Sequence, residues 1–366
     1  MFTLIIFLLI LSVLIVVHEF GHFIIARKAG VRVEEFSLGF GRKLFKKKKG
    51  DTLYSIGCVP LGGFVKMAGD SREEYTGKTD EYLSKTILER FNIIFFGPFL
   101  NYIMGFVCFC LIFFIGYPTL TTKVGGLMDG YGAQKAGIMV GDVITAIDGK
   151  QVKYFEDLQK EIHSKKEASQ VELTITREEE ELKIPVNIRE QKLDDALGQK
   201  KSVGLIGIVP YDEVVIVKHN IFESLLLSLL KTWDLTVMTY KGLWLMVSGQ
   251  LDVRESVTGP LGIFFITSKA ARLGMIAVLH LVAVLSVSLA IFNLLPFPVL
   301  DGGHILFLGL EKIRRKALSL KVEKVITQVG VSLILTLALF VTYNDVMRNY
   351  GEQLAKYGEK IARFFK

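Results

Sequence analysis

Two histidines and a glutamate interrupt the apolar stretch "LIVVHEFGHFIIAR" at positions 14–27. Residues four positions apart lie on one face of an α-helix, so His18 and His22 can aim their imidazole nitrogens at one ion. Glu19 lies on an adjacent part of the helix, within reach of a water bound to that ion. Ionisable groups in an apolar segment are costly and are normally paired or functional. The spacing therefore predicts a zinc site with Glu19 as its base; the alternative is two core histidines hydrogen-bonded to Glu19.

Two histidines leave a catalytic zinc site one protein ligand short. Glu34 and Glu35 are near in sequence, but they fall in a polar, strand-like segment. The stretch "NLLPFPVLDGGH" instead puts Asp301 at the cytoplasmic end of a later apolar segment, at the depth where the first one ends. Pro296 and Pro298 break helical hydrogen bonding there and allow the carboxylate to turn inward. We therefore predict Asp301 as the third ligand, with the two glutamates as alternatives.

Four apolar segments are long enough to cross about 30 Å of hydrocarbon as helices of roughly 20 residues. The chain has 366 residues, of which 51% are hydrophobic, and this favours a membrane protein. The predicted spans are residues 1–26, 91–117, 274–303 and 325–343. The expected fold class is a multi-pass α-helical membrane protein with about four transmembrane helices. A cleaved signal peptide is the alternative for the first segment, but a basic start and an Ala-x-Ala-like site are missing.

Lysine and arginine are concentrated in segments 27–90 and 304–324, which the positive-inside rule assigns to the cytoplasmic side, together with the zinc site. These segments explain the formal net charge of +7, so nucleic acid is not expected as a partner. The run "KKKK" at 46–49 is interpreted as contact with anionic lipid head groups. The three cysteines have no spacing typical of a disulfide framework or a thiolate zinc site.

Residues 31–67 change from helical spacing to short alternating runs broken by glycine and proline, which predicts strands near the membrane surface. An exposed strand edge could pair with an extended substrate, whereas a plain cytoplasmic hairpin is the alternative. The other predicted segments are a re-entrant β region and loop at 27–90, a linker with amphipathic or packed helices at 211–273, a basic loop at 304–324 and an amphipathic C-terminal helix at 344–366.

The insert at residues 118–210 has the pattern of an α+β domain. Alternation in 143–147 and 171–175 predicts strands, Asp148 and Gly149 predict a hairpin turn, and 154–162 has helical spacing. The pattern resembles a PDZ domain. Many PDZ domains carry an obvious carboxylate-binding loop where this sequence has "GGLM", so peptide binding and a structural lid both stay open.

Together, "HEFGH", "GPFLN", the PDZ-like insert and "NLLPFPVLDGGH" resemble the site-2 protease family of M50-type intramembrane zinc metalloproteases, with the bacterial regulator of sigma-E protease group most similar. The resemblance covers nearly the whole chain and implies Zn2+ bound by His18, His22 and Asp301, with Glu19 as general base. It also implies that Asn293 and Asn101 lie near the substrate. Helix-bridging hydrogen bonds are the alternative for both asparagines.

The resemblance further implies regulated intramembrane proteolysis in a stress response at the bacterial inner membrane. Its substrates would be single-pass proteins already trimmed outside, such as anti-sigma factors or remnant signal peptides, with the PDZ-like domain as an extracytoplasmic size filter. Many relatives carry two PDZ domains, and this sequence has room for one.

The competing hypothesis is a non-proteolytic PDZ-containing adaptor with a structural metal site, which would not need Glu19. A transporter would be expected to have an inverted repeat, which the sequence lacks.

Overall fold

The computed structural model describes residues 2–165, 169–194, 200–252 and 256–364. The chain divides into two compact units. The first comprises Met1–Ile112, Ser224–Val247 and Asp252–Lys366, and the second comprises Phe113–Glu223 and Ser248–Leu251. The long apolar helices belong to the first unit, and most strands belong to the second.

Helices dominate the first unit, and the two short helices between residues 132 and 163 belong to the second. In chain order, the helices of the described residues are α1 (Phe2–Lys28), α2 (Ile87–Ile115), α3 (Gly132–Lys135), α4 (Phe155–His163), α5 (Ile221–Val247), α6 (Pro260–Leu273), α7 (Met275–Asn293), α8 (Asp301–Arg314) and α9 (Leu320–Phe364). Four of them, α1, α2, α7 and the Lys321–Tyr350 part of α9, are long and apolar enough to cross a membrane. The number of these candidate helices agrees with the four spans predicted from the sequence.

Two helix ends differ from the sequence-based boundaries. The third span ends at Asn293 rather than continuing to residue 303, because Pro296 and Pro298 lack an N–H and disfavour helix in the residues before them. Residue 301 begins a new helix, α8. The second difference concerns α9, which continues to Phe364 without a break, where a separate helix over 344–366 was expected. The side chains of the predicted amphipathic face beyond residue 350 lie outside the described part of the chain.

Strands β1 (Val33–Lys49) and β2 (Thr52–Met67) form a folded sheet beside α1. Residues 35–38 pair with 63–66 in the antiparallel direction. On their other side they pair with 53–56 in the parallel direction. Residues 43–49 pair with 52–57. The order across the sheet is therefore 43–49, 52–57, 35–38, 63–66. One end of the sheet, which we call the glycine end, contains the turns at 39–42 and 57–62, and the other, the lysine end, contains the turn after Lys49.

The glycine end lies beside the middle of α1. A Cβ on Gly63 would come within 2.9 Å of Ile15 Cγ2 and 3.3 Å of Glu19 Cγ. Glu19 precedes the last residue of α1, Lys28, by nine positions, which is about 13 Å at 1.5 Å per residue. The sheet therefore folds back along the helix, from its C-terminal end to the level of the predicted base.

The second unit contains strands β3 (Tyr117–Leu120), β4 (Val124–Leu127), β5 (Val143–Ile147), β6 (Lys150–Gln151), β7 (Gln170–Arg177), β8 (Glu180–Asn187), β9 (Arg189–Asp194), β10 (Lys200–Leu205), β11 (Ile208–Pro210) and β12 (Val214–Val217). Its largest sheet has the order β6-β5-β7-β8, and β11 pairs with β4. The predicted strands and helix of the insert are confirmed. Asp148 and Gly149 have φ angles of +48° and +80°, as a two-residue hairpin turn requires. The motif "GGLM" lies in and directly after β4.

Candidate metal centre

Three predicted ligands meet in the first unit. His18 and His22 lie one turn apart on α1, and Asp301 is the first residue of α8. Their ligand atoms all lie within 4.8 Å of one another. The Nε2 atoms of the histidines are 3.2 Å apart, and Asp301 Oδ2 is 3.2 Å from His18 Nε2. Asp301 Oδ1 is 3.7 Å from His22 Nε2.

These separations suit zinc. Metal bonds of 2.0 to 2.1 Å in tetrahedral geometry hold two ligand atoms about 3.3 Å apart. The two imidazoles are 13% and 12% exposed, and Asp301 is 18% exposed, so the group is largely shielded from solvent but not sealed from it. Asp301 Oδ2 is buried and makes no hydrogen bond within the described residues. Two imidazoles and a carboxylate are also the donor set of a catalytic zinc site that keeps a position for water.

A backbone carbonyl fixes the orientation of His22. Its Nδ1 lies 2.9 Å from the carbonyl oxygen of Ile93 on α2. A carbonyl only accepts, so Nδ1 carries the proton and donates, and Nε2 keeps its lone pair toward the other ligands. This outer partner could not be predicted, because Ile93 and His22 are 71 positions apart in the sequence and share no local pattern.

Glycines allow α1 and α2 to approach closely at the site. A Cβ on Gly97 would lie 2.3 Å from both Cε1 and Nε2 of His22, and one on Gly21 would lie 2.1 Å from the carbonyl oxygen of Phe96. No larger residue fits at either position without moving a ligand or a helix. The glycines of "HEFGH" and "GPFLN" are the sequence signal of this contact, and sequence reasoning missed it.

Two further glycines position Asp301. Cβ atoms on Gly302 and Gly303 would lie 2.3 Å from the carbonyl oxygen of Leu294 and 2.1 Å from that of Phe297. The first turn of α8 can therefore pack directly on the proline-containing segment that follows α7. The double glycine after the aspartate serves this packing.

Glu19 lies between the ligands and the sheet. A Cβ on Gly63 of the sheet would come within 3.3 Å of Glu19 Cγ, and Val65, His22, His18 and Asp301 are close enough to act on the Glu19 carboxylate electrostatically. The alternative ligands Glu34 and Glu35 lie elsewhere. Glu34 pairs with Arg32 and Lys66, and Glu35 pairs with Lys43 and accepts a hydrogen bond from Ser55.

The two asparagines do not join the ligands. Asn101 is completely buried on α2, and its amide makes no hydrogen bond within the described residues. Its backbone carbonyl accepts a 2.7 Å hydrogen bond from Ser286 Oγ on α7. Asn293 is the last residue of α7 and is partly exposed. Contact of Asn101 and Asn293 with the substrate stays a prediction.

The sequence profile of peptidase family M50 matches residues 6–337. The chain therefore belongs to peptidase family M50 and is a membrane-bound zinc metalloprotease, with Zn2+ as its cofactor.

Full-length relatives agree with this. A protein from Campylobacter jejuni is 33% identical over 347 residues, which are 94% of this chain and 93% of the relative. The regulator of sigma-W protease RasP of Bacillus subtilis is 28% identical over 94% of this chain and 98% of its own length. The zinc metalloprotease RasP of Oceanobacillus iheyensis is 27% identical over 95% of this chain and 99% of its own length.

Among solved structures, the PDZ domain of the SdrC-like protein from Listeria innocua matches 25% of this chain and 96% of that domain, at 26% identity and a TM-score of 0.20. The corresponding domain from Listeria monocytogenes matches 26% of this chain and 90% of that domain, at 25% identity and a TM-score of 0.21. At these scores the likeness does not define the second unit, so its PDZ-like interpretation depends on its sequence and strand order.

Proposed function

We propose that this chain is an intramembrane zinc endopeptidase that cleaves the transmembrane segments of single-pass membrane proteins. The observation that carries the proposal is the convergence of three ligand atoms within 4.8 Å. Two of them lie on the apolar helix α1, and the third lies at the start of α8, which follows the apolar helix α7. A site inside apolar helices suits a peptide bond that also comes from a membrane segment.

In this proposal His18, His22 and Asp301 hold the zinc, which supplies Lewis acidity toward the scissile carbonyl and its attacking water. Glu19 accepts the proton of the water and returns it to the leaving amine. Gly63 and Val65 of the sheet lie beside Glu19, so its carboxylate is on the sheet side of the ligands. The amide of Asn101 or Asn293 would donate a hydrogen bond to the developing oxyanion.

A peptide bond in a transmembrane helix is shielded by its own backbone hydrogen bonds and must be unwound before attack. Within the described residues, segment 63–66 pairs on one side only, with 35–38. Its other edge can pair with an extended substrate segment and replace the lost helical hydrogen bonds. Because this segment also contains Val65, a substrate on that edge would lie close to Glu19.

The remaining parts of the proposal concern sidedness and substrates. The basic segments favour a bacterial inner membrane protein with its zinc on the cytoplasmic side and its PDZ-like domain outside. That domain would then act as a filter that admits substrates already trimmed outside the membrane. The name of the relative RasP, a regulator of sigma-W protease, supports anti-sigma factors as one substrate class, in a stress response. Remnant signal peptides are the other class.

The test combines cleavage with zinc content. Purified wild type, Glu19→Gln and Asp301→Ala are compared on a tagged single-span substrate, and bound zinc is quantified in each. We expect Glu19→Gln to retain zinc and to lose activity by about 10²-fold or more, as for a missing general base. Asp301→Ala should lose most of its zinc, because it is left with two ligands.

Glu34→Gln is the matched control, since it removes a nearby carboxylate that pairs with Arg32. It should keep both zinc and activity. Equal cleavage by wild type and Glu19→Gln would refute the mechanism. Zinc lost from Glu34→Gln and kept by Asp301→Ala would move the third ligand to Glu34.

A further inference from the structure

The two ends of the β1–β2 sheet differ in chemistry. At the glycine end, large apolar side chains face outward: Phe40 is 49% exposed, Leu44 71% and Phe45 55%. Ile56 and Val59 on the neighbouring segment are 45% and 43% exposed. Contiguous exposed apolar side chains on a small sheet indicate that something apolar covers them.

The lysine end is strongly basic. Lys46, Lys47, Lys48 and Lys49 are all exposed. Within the described residues none of them forms an ion pair, whereas Lys43, at the other end of the same segment, pairs with Glu35. Lys46 acts on the Glu35 carboxylate through space and Asp51 lies in the same turn, but four adjacent lysines still give the turn a net positive charge that an anionic partner can bind.

The spacing of the two ends matches half of a bilayer. Lys48 pairs with Leu53, and Cys58 in the apolar turn lies five residues further on. Five strand residues span about 17 Å, and half of the hydrocarbon core is about 15 Å thick. The lysine end also lies at the C-terminal end of α1, which carries Arg27 and Lys28. Lysines at head-group level would therefore put the apolar turns deep in the hydrocarbon.

We infer that Lys46 to Lys49 bind the phosphate groups of anionic phospholipids, and that this contact holds the glycine end of the sheet in the bilayer at the depth of Glu19. A lysine near an anionic leaflet favours the bound state about fivefold. Because the four lysines share one turn, they act together on one rigid sheet. The consequence for catalysis, a substrate-pairing edge kept beside Glu19, rests on the proposed function; the lipid contact itself does not.

Cys58 provides a probe of this depth. It is exposed, while Cys108 is buried and Cys110 is partly buried on α2. In the full-length Cys108→Ala/Cys110→Ala protein, a nitrobenzoxadiazole label on Cys58 is measured in nanodiscs of phosphatidylcholine, with or without phosphatidylglycerol. A lipid with a doxyl group on its acyl chain serves as quencher. With phosphatidylglycerol, we expect blue-shifted emission and about twofold stronger quenching, since the lysine turn binds its head groups.

The decisive variant carries Lys46→Gln, Lys47→Gln, Lys48→Gln and Lys49→Gln. It should lose the difference between the two lipid compositions, while its circular dichroism matches that of the parent. Lys321→Gln/Lys324→Gln, which removes charge from another basic segment, should keep the difference. The inference is wrong if the parent shows no response to phosphatidylglycerol, or if the quadruple variant responds as strongly as the parent. Neither result depends on zinc or on proteolysis.

Discussion

At the scale of single residues, the spacing of the two histidines and the glutamate could be recognised in the sequence, but the packing role of the glycines beside them could not. The spacing of His18, Glu19 and His22 on one helix is a local property that any sequence displays. The steric role of Gly97 depends on how α2 crosses α1, and only the structure gives that. Asp301 is intermediate, because its motif is visible in the sequence while its distance from the histidines is not.

Gly97→Ala is expected to weaken zinc binding, although residue 97 is not one of the proposed ligands. The added methyl group would lie 2.3 Å from Cε1 and Nε2 of His22, so the imidazole must rotate or α2 must shift. Ligand atoms displaced by a few tenths of an ångström no longer match the metal. Zinc titration of the purified variant should give a zinc affinity lower than that of wild type by about tenfold or more, and the cleavage rate should fall with it.

Gly105→Ala is the matched control on the same helix. Its methyl group would lie 2.5 Å from Val287 Cγ2, a comparable clash that is far from the histidines in sequence and touches no ligand. It should lower the stability of the packed helices and leave the zinc affinity unchanged. Equal zinc loss in both variants would mean that general loosening of α2, and not the position of His22, explains the Gly97→Ala result.

At the scale of elements, sequence periodicity predicted the helices and strands, and prolines explain where α7 ends. The pairing order of the β1–β2 sheet was not predictable, since residues 35–38 pair with two segments at once. Alternation identifies strands but does not choose their neighbours. The contacts between α2 and α8 were equally hidden, because their partners are separated by more than two hundred residues.

A partly buried ion pair joins α2 to α8. The guanidinium of Arg90 donates two hydrogen bonds to the Glu311 carboxylate, at 2.6 and 3.2 Å, and its side chain is 8% exposed. Burial raises the pKa of the neighbouring Tyr82 hydroxyl, which stays neutral and cannot replace the carboxylate. Glu311→Gln should lower the free energy of unfolding by about 3 to 5 kcal/mol, because it leaves the buried Arg90 guanidinium unpaired. Arg90→Gln should cost less, because the Glu311 side chain is 22% exposed and water can solvate its charge.

The double variant Arg90→Gln/Glu311→Gln carries neither charge and should recover much of that loss. Arg32→Gln is the control, because Arg32 pairs with Asp80 while both side chains are more than a third exposed, and it should cost less than about 1 kcal/mol. Unfolding in detergent, followed by circular dichroism, measures all four. Additive losses in the double variant would show that the pair is not the source of the effect.

At the scale of the whole molecule, apolar composition explains why helices form but not how they assemble, since lipid is as apolar as their side chains. In the first unit, polar contacts connect segments distant in sequence. Ser286 on α7 donates to the carbonyl of Asn101, and the hydroxyls of Tyr102 and Thr236 lie 3.0 Å apart. Such contacts cannot be predicted from periodicity, because each partner is a single polar residue in an otherwise apolar segment.

Another buried polar contact joins α9 to α6. Asp345 is completely buried, and its Oδ2 accepts a 2.8 Å hydrogen bond from the backbone N–H of Gly262. Gly262 lies in the first turn of α6, where backbone N–H groups have no partner within the helix. The α6 helix in turn packs on α1, where the rings of Phe7 and Phe264 are 5.7 Å apart. Asp345 therefore connects the last membrane helix, through α6, to the helix that carries both histidines.

Asp345→Leu should lower the free energy of unfolding by about 1 to 3 kcal/mol, because the N–H of Gly262 would stay buried without an acceptor. Asp345→Asn keeps a side-chain oxygen at that position and should retain most of the stability. Bound zinc should stay stoichiometric in both folded variants, since neither change touches a ligand. Unfolding of the full-length protein in bicelles separates the outcomes. If Asp345→Asn is as unstable as Asp345→Leu, the charge rather than the hydrogen bond holds α6, and if both match wild type, the contact does not stabilise the assembly.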